Sequence, residues 1–366
     1  MTKPLASPDA AFERPGAAAL RPTASRLSPV PAWGAIHPTP THMQAWECRA
    51  YGGPEVLVLA ERPMPIPGTK QVLVRVEATT VETGDVRIRA QDMPRGLGLI
   101  GRLVFGWSQP RQAVLGSVLA GTVVAVGAGV QRWSPGDRVV ATTGAKGGAH
   151  AAWALLGEGQ AVAHRPEMLT AEDAVAVVFG GLTAQYFLDR SAVQAGEHVL
   201  VIGATGSVGS ALVQLAHARG AVVTALGSQA NLSLARELGA AYTLDYRQHP
   251  TAGLGAARFD IVADTCAASS FAECLPLLRA GGRYLNIAGD LPSMLIRARH
   301  GRRSISGTGS ETAQGLERVL ELAARGVLKP VVDSTWPFAK LPAAHARAGT
   351  GHKRGCVVVH NVPNLQ

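Results

Sequence analysis

The sequence is poor in aromatic side chains and in charge: Phe, Trp and Tyr make up 5% and charged residues 17% of its 366 positions. So little charge beside 47% hydrophobic residues excludes a wholly disordered chain or a coiled coil, and the length suffices for two ordinary domains with buried cores. Cysteine is scarce. Cys48, Cys266, Cys274 and Cys356 are scattered with no C-x-x-C pair, which argues against a disulfide framework or a clustered zinc lobe and fits a reducing cytoplasm. No run of eighteen apolar residues occurs, and residues 1–41 lack the apolar centre of a secretory signal, so a soluble protein is expected. No basic stripe with groove-entering or aromatic elements is recognisable. Neither a nucleic-acid nor a membrane partner is expected.

Glycine is what the chain has in excess. Forty-two glycines without a three-residue period mean many tight turns. Lys and Arg exceed Asp and Glu by 35 to 26, a net charge of +9 that favours anionic ligands such as nucleotides. Residues 1–42 carry eight prolines together with Arg14, Arg21 and Arg26, the composition of a disordered N-terminal extension or a transit-like segment.

From Met43 the pattern is that of short strands between Gly and Pro punctuation: Met43 to Ala50, Val56 to Ala60, Gln71 to Thr80, Ser117 to Val126 and Asp137 to Thr142. This first half reads as a small all-β unit. Residues 88–113, with Met93, Phe105, Trp107, two prolines and several glycines, read as a lid over a site or as a surface excursion or subunit contact. Beyond Pro166 strands and helices alternate. Strands are expected at His198 to Ile202, Ala221 to Leu226, Ala241 to Asp245, Asp260 to Thr265 and Gly282 to Ala288, with helices at Val208 to Arg219, before Gly239 and near Ser269 to Leu278. That alternation predicts a parallel sheet covered by helices, an α/β domain. A further helix over Thr312 to Arg325 precedes strand-like pieces at Val331 and at Cys356 to His360, which are expected to return to the first domain.

Val199-Leu200-Val201-Ile202 runs into Gly203-Ala204-Thr205-Gly206-Ser207-Val208-Gly209 and then a helix. In a strand-loop-helix context such a G-x-x-G-x-x-G segment suits a dinucleotide pyrophosphate: small residues admit it to the backbone, and the helix N-terminus offsets its charge. Gly203 is assigned the turn, Gly206 the close approach and Gly209 the packing of helix on strand. The second strand of this unit runs out into Gly227, Ser228 and Asn231, where an NAD-preferring site would offer Asp or Glu to the ribose. Ser228, Asn231, Tyr246, Arg247 and Lys353 are instead candidates for a 2′-phosphate, favouring NADPH, with capping of the next helix as the alternative role of Asn231. Thr265, Cys266, Ala288 and Gly289 fall at strand ends, where open α/β sheets bind ligands.

Several stretches in order resemble the medium-chain dehydrogenase/reductase superfamily, in its zinc-independent, quinone oxidoreductase-like branch. They are Tyr51 to Leu57, Leu115-Gly116, Ala120-Gly121, Val126-Gly127, Pro135 to Val139, Gly181-Leu182-Thr183-Ala184, the glycine loop, Leu238 to Ala240 and Gly351 to Gly355. The resemblance covers residues 43–363. It implies a GroES-like β-barrel catalytic domain over 43–170 and 308–366 and a Rossmann, doubly wound parallel-sheet domain over 171–307. Zinc-dependent relatives carry Gly-His-Glu where this chain reads Gly116-Ser117-Val118, and a Cys ligand where it has Glu82 or Thr83, so no metal is expected. Glu82 and Asp85 match nicotinamide-pocket positions that are commonly Asn and Asp, with a solvent-facing Glu82 and a turn-fixing Asp85 as the alternative, and Thr183 matches a contact to the nicotinamide side or else caps or packs the helix that follows. Where relatives place Arg before Asn231 this chain has Ala230, and Val118 stands where an acidic residue is often found.

The resemblance also implies a homodimer and an NADPH-dependent, metal-free oxidoreductase that transfers hydride to a quinone or to an activated C=C of an enone, enal or enoyl thioester. Two alternatives stay open: a metal-free alcohol or aldehyde dehydrogenase, and a non-catalytic NADPH-binding regulatory protein. The basic cluster Arg297, Arg299, His300, Arg302 and Arg303 reads as a solvated face or as a grip on an anionic substrate.

Overall fold

The computed structural model describes residues 40–309 and 311–360. Most of the expected extension, residues 1–42, lies outside them. The described residues begin with a hairpin of β1 (His42–Cys48) and β2 (Leu57–Pro63), followed by β3 (Gln71–Val81), α1 (Thr83–Ala90) and α2 (Gly98–Phe105). Then come β4 (Val118–Val126), β5 (Arg138–Thr142), β6 (Trp153–Gly157), β7 (Ala161–His164) and the long helix α3 (Ala171–Ser191). The alternating half contains β8 (His198–Ile202), α4 (Ser207–Ala218), β9 (Val222–Gly227), α5 (Leu232–Glu237), β10 (Tyr242–Asp245), β11 (Phe259–Asp264), α6 (Phe271–Cys274), β12 (Leu278–Asn286), α7 (Leu291–Leu295), β13 (Ala298–Arg299) and β14 (Arg302–Ser306). The chain closes with α8 (Ala313–Ala324), β15 (Val332–Pro337), α9 (Leu341–Gly349) and β16 (Cys356–His360).

Two seven-stranded sheets result. One has the order β10-β9-β8-β11-β12-β14-β13, parallel except for the final antiparallel pair. Its inner strand β8, His-Val-Leu-Val-Ile, is buried along nearly its whole length because helices cover both faces, which is why it reads as an unbroken apolar run. The other sheet runs β15-β16-β3-β4-β5-β7 with β6 on β3, and β16 pairs antiparallel with β3 through Val357 and Val81. The C-terminal strand thus returns to the first domain, and the two sheets are the GroES-like and Rossmann units of the expected α/β fold.

Helix α3 has no counterpart among the elements expected from the sequence, and its burial explains why. Fourteen of its 21 residues are buried, on all sides of the helix, so it carries no amphipathic stripe to read. Thr170 caps it, its Oγ1 accepting from the Asp173 N–H at 3.0 Å. Phe187 and Leu188 are fully buried within one apolar cluster that takes in Val118 and Val358 of the first sheet as well as Val199 and Ile261 of the second. Each such side chain contributes about 1.5–3 kcal/mol by leaving water. Residues 88–113, read as a lid, a surface excursion or a subunit contact, contain the end of α1 and all of α2. The helix expected near Ser269 to Leu278 is a single turn, Phe271–Cys274, continued by a 3-10 turn to Leu277, since Pro276 cannot extend it.

Candidate active site

The loop after β8 is shaped by steric exclusion. Gly203 has φ of +75°, and a Cβ there would meet the Thr265 hydroxyl at 2.7 Å. A Cβ on Gly209 would lie 2.1 Å from the Gly203 carbonyl, so α4 can approach β8 this closely only with glycine at that position. Gly206 differs. It is the N-cap of α4 with no side chain capping the helix, and the nearest atom to a Cβ there is the Gly203 carbonyl at 3.6 Å. An uncapped helix start, an N-cap where a Cβ would meet no close contact and first-turn N–H groups without intrahelical acceptors form a cradle that fits a pyrophosphate.

The other loop residues are placed around this cradle. Thr205 is buried, and its carbonyl accepts from the Gly355 N–H at 2.7 Å, clamping the loop to the segment before β16. The Ser207 hydroxyl is buried without a partner and faces α3, 3.2 Å from where a Cβ on Gly180 would stand, so of its polar groups only the N–H is left for a ligand. Val208 packs against the main core. The Thr265 hydroxyl donates to the carbonyls of Ile202 (2.9 Å) and Gly203 (3.1 Å) and so holds the loop rather than reaching outward. Cys266 is exposed beside it. Gly289 is pinned against the Asn286 amide, where a Cβ would lie 1.9 Å from Oδ1, and Ala288 precedes it at the same strand end.

At the β9 edge, pairing of Asp245 with Gly227 brings Ser228 and Tyr246 to one end of the sheet. Tyr246 is 43% exposed with the Arg247 guanidinium over its ring at 5.7 Å. Asn231 makes no capping hydrogen bond to α5, so its amide is not spent there. Lys353, expected among the 2′-phosphate candidates, is engaged elsewhere. Its ammonium donates to the Gly355 carbonyl at 2.8 Å and stands 3.7 Å from Glu82 Oε2, with the side chain almost fully buried.

Glu82 and Asp85 open α1. Neither faces solvent. Glu82 Oε1 accepts from the Cys356 thiol at 3.1 Å, and burial holds that thiol well above its ordinary range, so it stays protonated. Asp85 Oδ2 accepts from the Glu82 N–H (2.8 Å) and Oδ1 from the Gly116 N–H (3.1 Å). Burial pushes the Asp85 carboxyl up to about 7, and the neighbouring Glu82 carboxylate raises it too, while the two backbone N–H bonds pull the other way. Asp85 also lines a cavity of about 80 Å³, walled by Ile88, Val104, Phe105 and Leu115 and edged by Arg111 and Gln112. Thr183 does not offer a free hydroxyl: its Oγ1 donates to the Phe179 carbonyl one turn back at 2.8 Å.

Spacing gave no signal for Cys356 or for the Gly116 amide. Cys356 lies 274 positions from Glu82, and Gly116, at φ of +91° and against the His150 ring, is set by packing that only the fold reveals. His150 is buried, its Nε2 bonded to the Thr80 carbonyl at 3.0 Å and its ring edge-on to His345 at 5.2 Å. Among the described residues no three His, Cys, Asp or Glu side chains are placed to hold a metal ion.

This pairing of a GroES-like sheet with a parallel sheet whose glycine loop opens a helix defines an oxidoreductase that works with a nicotinamide cofactor. Residues 68–195 match the alcohol dehydrogenase GroES-like domain family, and residues 238–359 match the zinc-binding dehydrogenase family. The chain is 30% identical over 336 residues to 2-methylene-furan-3-one reductase of Solanum lycopersicum, covering 88% of this chain and 80% of that protein. It is 28% identical over 334 residues to the chloroplastic quinone-oxidoreductase QR1 of Triphysaria versicolor, covering 87% and 98%. The solved quinone oxidoreductase of Coxiella burnetii shares the fold, with a TM-score of 0.77 at 22% identity over 87% of this chain and 99% of that one. The chain belongs to the zinc-independent, quinone oxidoreductase-like branch of the medium-chain dehydrogenase/reductases. Among the described residues no donor set is assembled for the zinc in the second family's description, and Glu82 is committed to Lys353 and Cys356.

Proposed function

We propose that this oxidoreductase uses NADPH to reduce a quinone or the activated C=C of an enone, enal or enoyl thioester. The observation that carries this reading is the cavity beside α1, an apolar chamber with one buried carboxyl that keeps its proton up to about pH 7. Simple ketone reduction profits from a Lewis acid, for which no ligands converge among the described residues. A conjugated acceptor delocalises the incoming charge itself and asks the protein for position, dryness and a proton. The names of the two relatives, a quinone oxidoreductase and a reductase of a methylene-furanone, support the same substrate class.

The first-turn N–H groups of α4 would hold the pyrophosphate and the β9 edge the adenosine end, and a bound nicotinamide supplies the hydride. NADPH over NADH is supported by Ser228, Asn231, Tyr246 and Arg247 together with the lack of an acidic residue over 227–231. Ile88, Val104, Phe105 and Leu115 exclude water from the acceptor, and Asp85 delivers the proton that completes the reduction. Glu82 makes Asp85 a better proton holder by placing a second carboxyl beside it. Free thiols at Cys48, Cys266, Cys274 and Cys356 support a reducing compartment.

The test is NADPH consumption across a panel of quinones and enones, with and without a chelator. Turnover indifferent to the chelator is expected. A change in NADPH fluorescence with no consumption for any acceptor would instead indicate a non-catalytic binding protein.

A further inference from the structure

Helix α2 is apolar, and the described residues leave one face of it uncovered. Leu99, Ile100, Leu103 and Val104 are 47–62% exposed, and Trp107 just beyond is 62% exposed. Scattered exposed apolar side chains are ordinary, whereas this many on two turns and their continuation form a patch that marks an interaction site. The segment is tied to the Rossmann unit: the Leu291 N–H donates to the Arg95 carbonyl at 3.0 Å, and Leu295 and Ile296 follow there, 73% and 45% exposed. The rim is cationic. Arg95, Arg102 and Arg111 are exposed on this segment and Arg297, Arg299 and Arg303 beyond α7, while Asp92 and Asp290 are the only acids over 88–113 and 286–309. The Arg102 guanidinium lies over the Trp107 ring at 5.6 Å, the amphipathic pairing found where a surface meets lipid headgroups.

We propose that this patch docks on an anionic lipid surface, with Leu99, Ile100, Leu103 and Trp107 entering the boundary of the acyl region and the arginines meeting lipid phosphates. Charge decides between occupants. A second copy on a two-fold axis would lay the patch on itself and set Arg102 and its neighbours against their own equivalents, while an anionic bilayer offsets the same charges. Val104 and Phe105, on the same helix, wall the cavity that contains Asp85, so a lipophilic acceptor dissolved in the bilayer would reach the pocket without crossing water. That delivery rests on the proposed reductase reading; the docking does not. No helix among the described residues is long and apolar enough to cross a membrane. A peripheral contact nonetheless departs from the composition-based expectation of no membrane partner.

The test is sedimentation of the full chain with vesicles of phosphatidylcholine alone or mixed with phosphatidylglycerol. Binding is expected only to the mixed vesicles, weakening with salt and by roughly fivefold for each of Arg95→Ala and Arg102→Ala. Leu99→Glu with Leu103→Glu should abolish it while leaving NADPH oxidation with a water-soluble quinone unchanged. Failure to bind the mixed vesicles, or unchanged binding by the double glutamate variant, overturns the proposal. So does a dimer, seen by light scattering, that the double variant converts to monomer, because the face then belongs to a second copy. Vesicle binding without turnover of any acceptor would leave the docking standing and remove the reductase reading alone.

Discussion

The glycine loop and the pocket at the start of α1 are joined at the start of β16, where Gly355 holds Thr205 and Cys356 holds Glu82, and they are built in opposite ways. The loop is continuous in sequence, and steric limits at Gly203 and Gly209 dictate its shape, so the order of its residues already states its chemistry. The pocket draws Asp85, Gly116 and Phe105 from separate segments, and behind it Glu82 meets Lys353 and Cys356 from the far end of the chain. Its properties come from burial, which no spacing reveals. A binding function is therefore legible locally, and the proton chemistry is legible only after folding.

The sharpest way to break this contrast is at Asp85. Asp85→Asn keeps the side chain's size and removes its acid, so turnover should fall by about 10²–10⁴, the usual contribution of general acid catalysis, with NADPH affinity nearly unchanged in a fluorescence titration. Unaltered kcat would move the proton source elsewhere.

Next in size is the acid stability of the buried pair His150 and His345. Burial lowers His150 to about 4 from 6.5 and holds His345 well below its ordinary value, so the unfolded chain binds more protons than the folded one in that interval. Stability is complete above about pH 6.5 and is lost as pH falls through 4, by up to about 3 kcal/mol for His150. Urea unfolding of wild type and His150→Gln on either side of this window should show a shallower acid loss in the variant.

On the loop side, Gly206→Val and Gly209→Ala should separate binding from folding. The Cβ of a valine at position 206 meets only the Gly203 carbonyl, at an ordinary 3.6 Å, so the melting temperature should hold while NADPH affinity drops roughly hundredfold through lost charge-assisted backbone hydrogen bonds. Alanine at position 209 collides with the Gly203 carbonyl and should cost about 1–3 kcal/mol of stability or more by thermal melting. Equal effects at the two positions would contradict their assigned roles. The smallest effect is expected at the β9 edge: Ser228→Asp should shift preference from NADPH toward NADH by about tenfold, through repulsion of the 2′-phosphate, in paired kcat/KM measurements.

Much of the fold is legible where period and punctuation agree. Strands β3, β8, β9 and β16 and helices α4 and α8 are amphipathic or bounded by glycine, and their expected limits fall within a residue or two of the observed ones. Helix α3 is hidden by being buried all round, and α2 by having glycines at its start and in its middle and an apolar face left exposed by the described residues. For the site, the sequence singles out Glu82 and Asp85 but leaves open whether Glu82 faces solvent, while the structure buries both. Lys353 suits the adenosine end only as a free lysine beside a phosphate. Its partner Glu82 is too distant in sequence for that competition to be seen.

The central claim is that a protonated Asp85 completes hydride transfer in a pocket without a metal. The pH dependence of kcat with NADPH and an enone, in chelator-treated wild type and Asp85→Asn, tests it most directly. Wild-type turnover should survive the chelator and decline as pH rises through about 7, with the decline absent from the variant's residual rate. Turnover that requires added zinc, or the same pH profile in both proteins, would contradict it.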